Sequence, residues 1–315
     1  MSSIPSKRQP GRPKKAKPLN NVSSLGAVEE PFINAENIIE FQYSDSNWII
    51  QIFSIFKSYK CSVLYMRFLK DHIIFYGKPG DNDKKLVICS FDAHKVFRYY
   101  CREECEFMIT QTNTTIYKII MSITNTHNYI ILYYNNVLYD NILNFETRDN
   151  ISDINICKPI NVSPPVFLND FQHQFTDLSK FNNLAYHMSI NIVGDNFKKI
   201  ISKYKHFNII ITTSLADPVD KRQIEFITSV ESQSNKCEFT MDNLHLQHKQ
   251  CTLNNFDNLI MLRTNFNVDD ITKYLSVFKK TVWLGFRDDS STMGGIKLKN
   301  KNDRNDGYLE LYLFT

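Results

Sequence analysis

Cys237, His245, His248 and Cys251 are the residues of this chain whose types come nearest to a metal site. Their spacing, C-x7-H-x2-H-x2-C, matches no common zinc arrangement, and Cys237 falls in "KCEFTM", a run that reads as a strand. The other cysteines, at 61, 89, 101, 105 and 157, follow no regular spacing. They sit mostly in apolar strand-like runs, as small hydrophobes of a reducing compartment do. There is no P-loop, no G-x-G-x-x-G behind a strand, and no acidic cluster suited to metal-assisted phosphodiester chemistry. The residues therefore predict neither an enzyme nor a cofactor, and the chemistry left to the chain is electrostatic.

That chemistry concentrates in two stretches, "NFKKIISKYKHFNIIITTS" (196–214) and "DDITKYLSVFKKTVWLGFR" (269–287). Each is an amphipathic run that passes directly into a β-branched, aromatic strand. In a helix predicted over 195–206, Phe197, Ile200, Ile201 and Tyr204 form one stripe, opposite Lys199, Lys203 and His206 with Lys198 and Lys205. In a helix predicted over 268–280, Val268, Ile271, Leu275 and Phe278 oppose Lys273 and Lys280, with Lys279 alongside. A solvated helix face explains either run singly. Several such helices on one surface instead form a footprint for a polyanion met through its phosphates.

Net charge does not by itself call for such a partner. Residues 1–28 carry six basic residues and no acidic one; taking these from the 37 lysines and arginines leaves 31 against 33 acidic residues, a body at −2. Attraction to a polyanion must come from where the lysines stand. With 43% hydrophobic residues the chain can bury a sizeable core, while no window approaches the roughly 18 apolar residues of a membrane span. The expectation is a soluble, unsecreted protein.

The elements that position these lysines repeat. "IIEFQY" reads as a strand, and "SDSNWIIQIFSIFKSYK" as a helix with Ile49, Ile52, Phe53 and Phe56 on one face. Then comes a meander of short strands, a helix in "NTTIYKIIMSIT", and strands in "YIILYYNN", "VLYDNILNFE" and "SDINIC". Past a Pro- and Asn-rich segment from Lys158 to about Asn183 the same order recurs, with a period of about 145 residues, which marks a duplicated domain. The expected organisation is a disordered basic tail over 1–35, a first domain over 36–158, a connector over 159–183 and a second domain over 184–315. The fold class is α+β, with two helices on antiparallel sheets in each copy. The tail's "QPGRPKKAKP" carries Arg12, Lys14 and Lys15 in the pattern of an AT-hook, which lays Arg-Pro in a narrow minor groove, and equally of a nuclear import signal.

From about residue 38 to 315 this order resembles the eukaryotic-type DNA sliding clamp, proliferating cell nuclear antigen (PCNA), and more closely the divergent clamps of large DNA viruses. The most specific local match is the end, "ITKYLSVFKKT" followed by strands and the closing "GYLELYLFT"; a basic GRP tail is also similar to the viral members. The resemblance implies a homotrimeric ring around double-stranded DNA that tethers DNA polymerase and other replication or repair proteins and does no chemistry. It implies an intracellular site of action, in a host nucleus or at a cytoplasmic viral replication site.

It also implies residue roles. DNA-facing positions would be Lys57, Lys60, Lys118, Lys198, Lys199, Lys203, Lys205, Lys273, Lys279 and Lys280. The first helix departs from the pattern: its polar face, Asn47, Gln51, Ser54 and Ser58, is neutral, which biases DNA contact toward the second domain. Partner peptides would dock at the connector, on Val166, Phe167, Leu168 and Phe171, with the pocket completed by Tyr312, Leu313 and Phe314; alternatively the connector residues only pin the linker to its sheet. Subunits would pair through the edges "SDINIC" and "KCEFTM", at Ile154, Ile156, Cys237 and Phe239. An open, non-ring processivity factor that holds DNA by surface charge is the alternative reading.

Overall fold

The alternation and helical spacings of the sequence give a chain of short strands interrupted by four described helices. The computed structural model describes residues 36–79, 84–110, 116–123, 129–135, 141–148, 156–167, 178, 181, 184, 188–202, 206–212, 223–227, 259–287 and 295–314. All belong to one compact unit, Asn34–Thr315. β1 (Asn37–Tyr43) leads into α1 (Ser46–Ser58). β2 (Leu64–Phe68), β3 (His72–Gly77), β4 (Lys85–Asp92), β5 (Arg98–Cys101) and β6 (Cys105–Ile109) follow, then α2 (Ile116–Met121). β7 (Tyr129–Asn135), β8 (Ile142–Arg148) and β9 (Ile156–Asn161) close the first half, and a short β10 (Val166–Phe167) comes next. The second half holds β11 (Met188–Val193), α3 (Gly194–Ile201), β12 (His206–Thr212), β13 (Gln223–Ile227), β14 (Leu259–Asn267) and α4 (Val268–Val277). It ends in β15 (Thr281–Arg287), β16 (Gly295–Lys301) and β17 (Gly307–Phe314).

The repeat is visible in the strand order. The run β1-β7-β8-β9 of a five-stranded sheet has its counterpart in β11-β15-β16-β17, and β3-β2-β6 in the three-stranded β13-β12-β14. The two halves are sewn together by β4 and β17, which pair antiparallel from Gly307 opposite Phe91 to Leu313 opposite Lys85. This joint makes one nine-stranded sheet, β10-β6-β2-β3-β4-β17-β16-β15-β11.

α1 forms where a polar cap precedes apolar spacing, whereas α3 follows Val193 with no side-chain cap. Asp45 caps α1, its Oδ1 accepting from the Trp48 amide at 3.0 Å, and Trp48, Ile49, Ile52, Phe53, Ile55 and Phe56 turn inward. They join α2, α3, α4 and the inner strand faces in one continuous core. Each fully buried side chain such as Phe53, Phe56 or Ile52 contributes on the order of 1.5–3 kcal/mol.

Several expected boundaries move. The helix predicted over 195–206 ends at Ile201, and His206 begins β12, so His206 leaves the polar face assigned to it. The β-branched run that follows pairs with β13 and β14, and that ladder outweighs continuing the helix. The closing strand of the first half is described from Ile156 to Asn161 and so continues past Cys157, where the expected run ends; residues 152–155 lie outside the described residues. The strand contains Pro159, opposite Asn144, as an outer strand tolerates.

Besides the β4–β17 ladder, buried hydrogen bonds tie the halves. The Tyr43 hydroxyl donates to Asp306 Oδ1 at 2.8 Å across 263 residues. Asn302 Nδ2 donates to the same carboxylate and to the Tyr43 oxygen, while Asn302 Oδ1 accepts from the amides of Asp306 and Gly307. Tyr43→Phe takes a donor from a buried carboxylate and is expected to cost about 1–3 kcal/mol. Urea unfolding of the variant, with an unchanged m-value, measures it; a loss below a few tenths of a kcal/mol refutes the tie.

Candidate nucleic-acid interface

The four described helices stand in a row, α2 beside α1, α1 beside α4 and α4 beside α3. The α1–α4 contact is the seam between the halves. There the Trp48 and Phe278 rings pack with centroids 5.5 Å apart, and the Tyr59 hydroxyl donates to the Asp270 carbonyl. Burial first, and the Asp270 charge second, raise the Tyr59 phenol well above its ordinary value, so it stays a protonated donor. Lys85 of β4 reaches the Asp270 carboxylate at 2.8 Å in the first turn of α4.

Inward apolar stripes leave the basic residues on the outer side of this row. Lys57 lies in the last turn of α1 and Lys60 just past it; Lys118 lies on α2, Lys199 on α3 and Lys273 on α4, with Lys279 following it. All six are exposed and form no ion pair among the described residues. Lys273 stands 6.0 Å from the Tyr59 ring centroid, so its stem crosses the seam. Lys280 is exposed but bridges Asp303 at 3.0 Å. Lys198 is half-buried, and its Nζ donates to Ser276 Oγ of α4 at 2.8 Å, so it holds two helices together and is not wholly free to meet a ligand. Lys203, Lys205 and the tail residues Arg12, Lys14 and Lys15 lie outside the described residues.

The residues nominated for partner docking are not brought together. Val166 and Phe167 form β10 on β6, at the far edge of the nine-stranded sheet. Four strands separate them from β17, a distance on the order of 24 Å at the usual strand spacing. Leu313 turns into the main core, because alternate residues of β17 face opposite sides. Leu168 and Phe171 lie outside the described residues. Tyr312 and half-buried Phe314 do share the outer face, where they meet Leu178 and Phe181 of the connector and Leu184 just past it. The Phe181 ring lies 5.5 Å from Tyr312 and 5.7 Å from Phe314. The three-residue spacing of Leu178, Phe181 and Leu184 was the signal that could have found them.

Beside this cluster a charged group is built into the sheet. Glu310 accepts from Lys297 at 2.7 Å, from Lys299 at 2.9 Å and from the Tyr312 hydroxyl at 2.6 Å, and Lys297 sits over the Tyr312 ring. Burial alone would push the Glu310 carboxyl up, but the two lysine charges and the hydrogen bonds outweigh it and hold it below its ordinary value.

Of the subunit-edge residues, Ile154, Cys237 and Phe239 lie outside the described residues, and for Ile156 the backbone alone is described, in β9. Among the described residues β9 is one of the two end strands of the five-stranded sheet, the other being β5. The residues of the weighed zinc spacing, Cys237, His245, His248 and Cys251, are also outside the described set. Among the described residues no cluster of three metal-ligating side chains occurs, and no helix is long and apolar enough to cross a membrane.

Known proteins were compared with the chain. No protein-family model and no curated protein matches it. Solved structures do. PCNA from Thermococcus kodakaraensis superposes with a TM-score of 0.63 at 11% identity, covering 88% of this chain and 99% of that one. PCNA from Entamoeba histolytica superposes with a TM-score of 0.60 at 14% identity, covering 88% and 98%. The chain thus has the PCNA-type clamp fold, an α+β arrangement of antiparallel sheets with few helices.

The buried charge beside Tyr312 sets an acid limit on this fold. A carboxyl whose folded value is depressed contributes stability above its ordinary value of 4.5, and that stability is lost as pH falls through the lower folded value. Glu310→Gln strands Lys297 and is expected to destabilise the protein by about 3–5 kcal/mol at pH 7. The penalty should shrink below pH 4.5. Thermal unfolding of both proteins from pH 7 to 3 checks the convergence; parallel curves refute it.

Proposed function

We propose that the chain is a DNA sliding clamp, a processivity factor that encloses duplex DNA and tethers DNA polymerase and other replication proteins without performing chemistry. The observation that carries this reading is the row α2-α1-α4-α3, which turns outward six lysines that form no ion pair among the described residues, on a body of net charge −2. Such placement binds phosphates without reading bases. The PCNA-type fold supports it.

The ring reading draws support from the duplication. β17 is the counterpart of β9 and finds its partner, β4, within the chain, whereas β9 is an outer strand. An unpaired edge invites a strand from another molecule. A second chain supplying a β4-like strand to β9 repeats the intramolecular joint head to tail, and three two-domain chains close the ring. Partner peptides are proposed to dock on the outer face beside Phe314, over Tyr312. Replication inside the cell, on viral DNA as the resemblance implies, is the proposed setting.

Native mass spectrometry is expected to give roughly three times 36.9 kDa. The protein should remain on nicked circular DNA at a salt concentration that strips it from linear DNA, because a ring leaves by sliding off ends. A monomer lost alike from circles and linear duplex favours the open, charge-held factor. Lys199→Ala with Lys273→Ala should lower the salt slope of DNA binding by about 0.9 per lost phosphate contact while leaving the native mass unchanged. An unaltered slope removes these helices from the interface.

A further inference from the structure

The outer face of β16 carries Lys297, Lys299 and Lys301 at alternate positions, while Ile296 and Leu298 between them enter the core. Across the strand pair, Lys297 stands opposite Tyr312, Lys299 opposite Glu310 and Lys301 opposite Tyr308. Glu310 is the single carboxylate of the two strands, so three ammonium groups face one anion and leave an excess of two positive charges. The turn joining the strands does not redress this. Asp303 bridges Lys280 at 3.0 Å, and Asp306 is buried against Tyr43.

Glu310 is already engaged by three donors, Lys297, Lys299 and the Tyr312 hydroxyl. Burial holds the Lys297 ammonium below its ordinary value, against the pull of Glu310 and with the Lys299 charge adding to the burial. Lys299 keeps 28% of its side chain exposed and is pinned by Glu310 at 2.9 Å and by the Tyr308 ring, 4.1 Å away. Beyond it Lys301 is exposed and forms no ion pair among the described residues. An ammonium fixed in place and still open to solvent, next to an unpaired one, is preorganised for further carboxylates.

We infer that this lysine row binds an acidic peptide segment, whose carboxylates pair with Lys299 and Lys301. The row lies one strand, about 4.8 Å, from Tyr312 and Phe314, so a partner anchored by an apolar side chain beside Phe314 reaches it with its next few residues. The inference rests on the peptide-docking reading for where that anchor sits. Nucleic acid suits the row less well than a peptide does. The lysines placed for duplex phosphates lie on the helices, on the opposite side of the sheet from this row. The rings of Tyr308 and Tyr312 are covered by Lys299 at 4.1 Å and Lys297 at 4.8 Å, so neither offers a bare face for a base to stack on.

The probe is a fluorescently labelled peptide with a Phe-Phe anchor followed by a run of glutamates, and its control has glutamines in their place. By fluorescence anisotropy at low salt, the full-length protein should bind the glutamate peptide roughly tenfold more tightly than the control, as two part-exposed ion pairs allow. Lys299→Gln with Lys301→Gln should abolish that preference and leave the control's affinity unchanged. Lys301→Gln alone, which touches no part of the Glu310 network, should halve the preference on a logarithmic scale even if Lys299→Gln lowers the melting temperature. No binding of the glutamate peptide, equal binding of the two peptides, or a preference that survives the lysine substitutions overturns the inference. So does displacement of the glutamate peptide by a single-stranded oligonucleotide at lower concentration than by unlabelled peptide, which assigns the row to nucleic acid. Phe314→Ala weakens both peptides alike if the anchor docks as proposed, so the docking reading is decided separately from the acidic preference.

Discussion

Seven register pairs join β17 to β4, from Gly307 opposite Phe91 to Leu313 opposite Lys85, and the placement of every other element follows from that ladder. Each strand would otherwise be an open edge of its own half, with backbone donors and acceptors lacking partners. Pairing them satisfies both edges and makes a single nine-stranded sheet from two repeats. It also brings the helices of the two halves side by side: α1 meets α4, Trp48 meets Phe278, and Tyr59 donates to the Asp270 carbonyl. The hydrogen-bonded turn at 302–306, anchored to Tyr43, locks the same joint from its end.

β17 serves two surfaces at once because its side chains alternate. Leu309, Leu311 and Leu313 enter the main core beneath the helices, and the Tyr274 hydroxyl donates to the Leu309 carbonyl at 2.9 Å. On the opposite face, Glu310 and Tyr312 hold a buried charged network that the connector's Leu178 and Phe181 border. A buried carboxylate needs nearby cations. Lys297 and Lys299 of the adjacent β16 supply them, so this outer face depends on the pairing of β16 with β17.

Charge on the helical side works differently. There Lys57, Lys60, Lys118, Lys199, Lys273 and Lys279 are exposed, form no ion pairs among the described residues and cost little to hold, so they remain free for a polyanion. The helix row gathers lysines from both halves on one surface of a body whose net charge is slightly negative. Lys198, spent on Ser276, and Lys280, paired with Asp303, show that a basic residue on the correct face is not always available.

The amino-acid sequence by itself determined the duplication, the identity of most elements and the sidedness of the helices. These are local properties: i, i+3 and i+4 spacing in "NWIIQIFSIF" or alternation in "GYLELYLF" is set by neighbours along the chain. Helix ends were less legible, since the strand ladder begun at His206 competes with the lysine-rich continuation of α3. Only the tertiary structure decided which local faces meet. Tyr43 and Asp306 are 263 residues apart, Val166 and Phe167 go to β6 and not to β17, and Trp48 meets Phe278 only once α1 abuts α4. Such long-range partners depend on strand pairings that satisfy backbone hydrogen bonds across the whole chain, and no short window of residues carries that information.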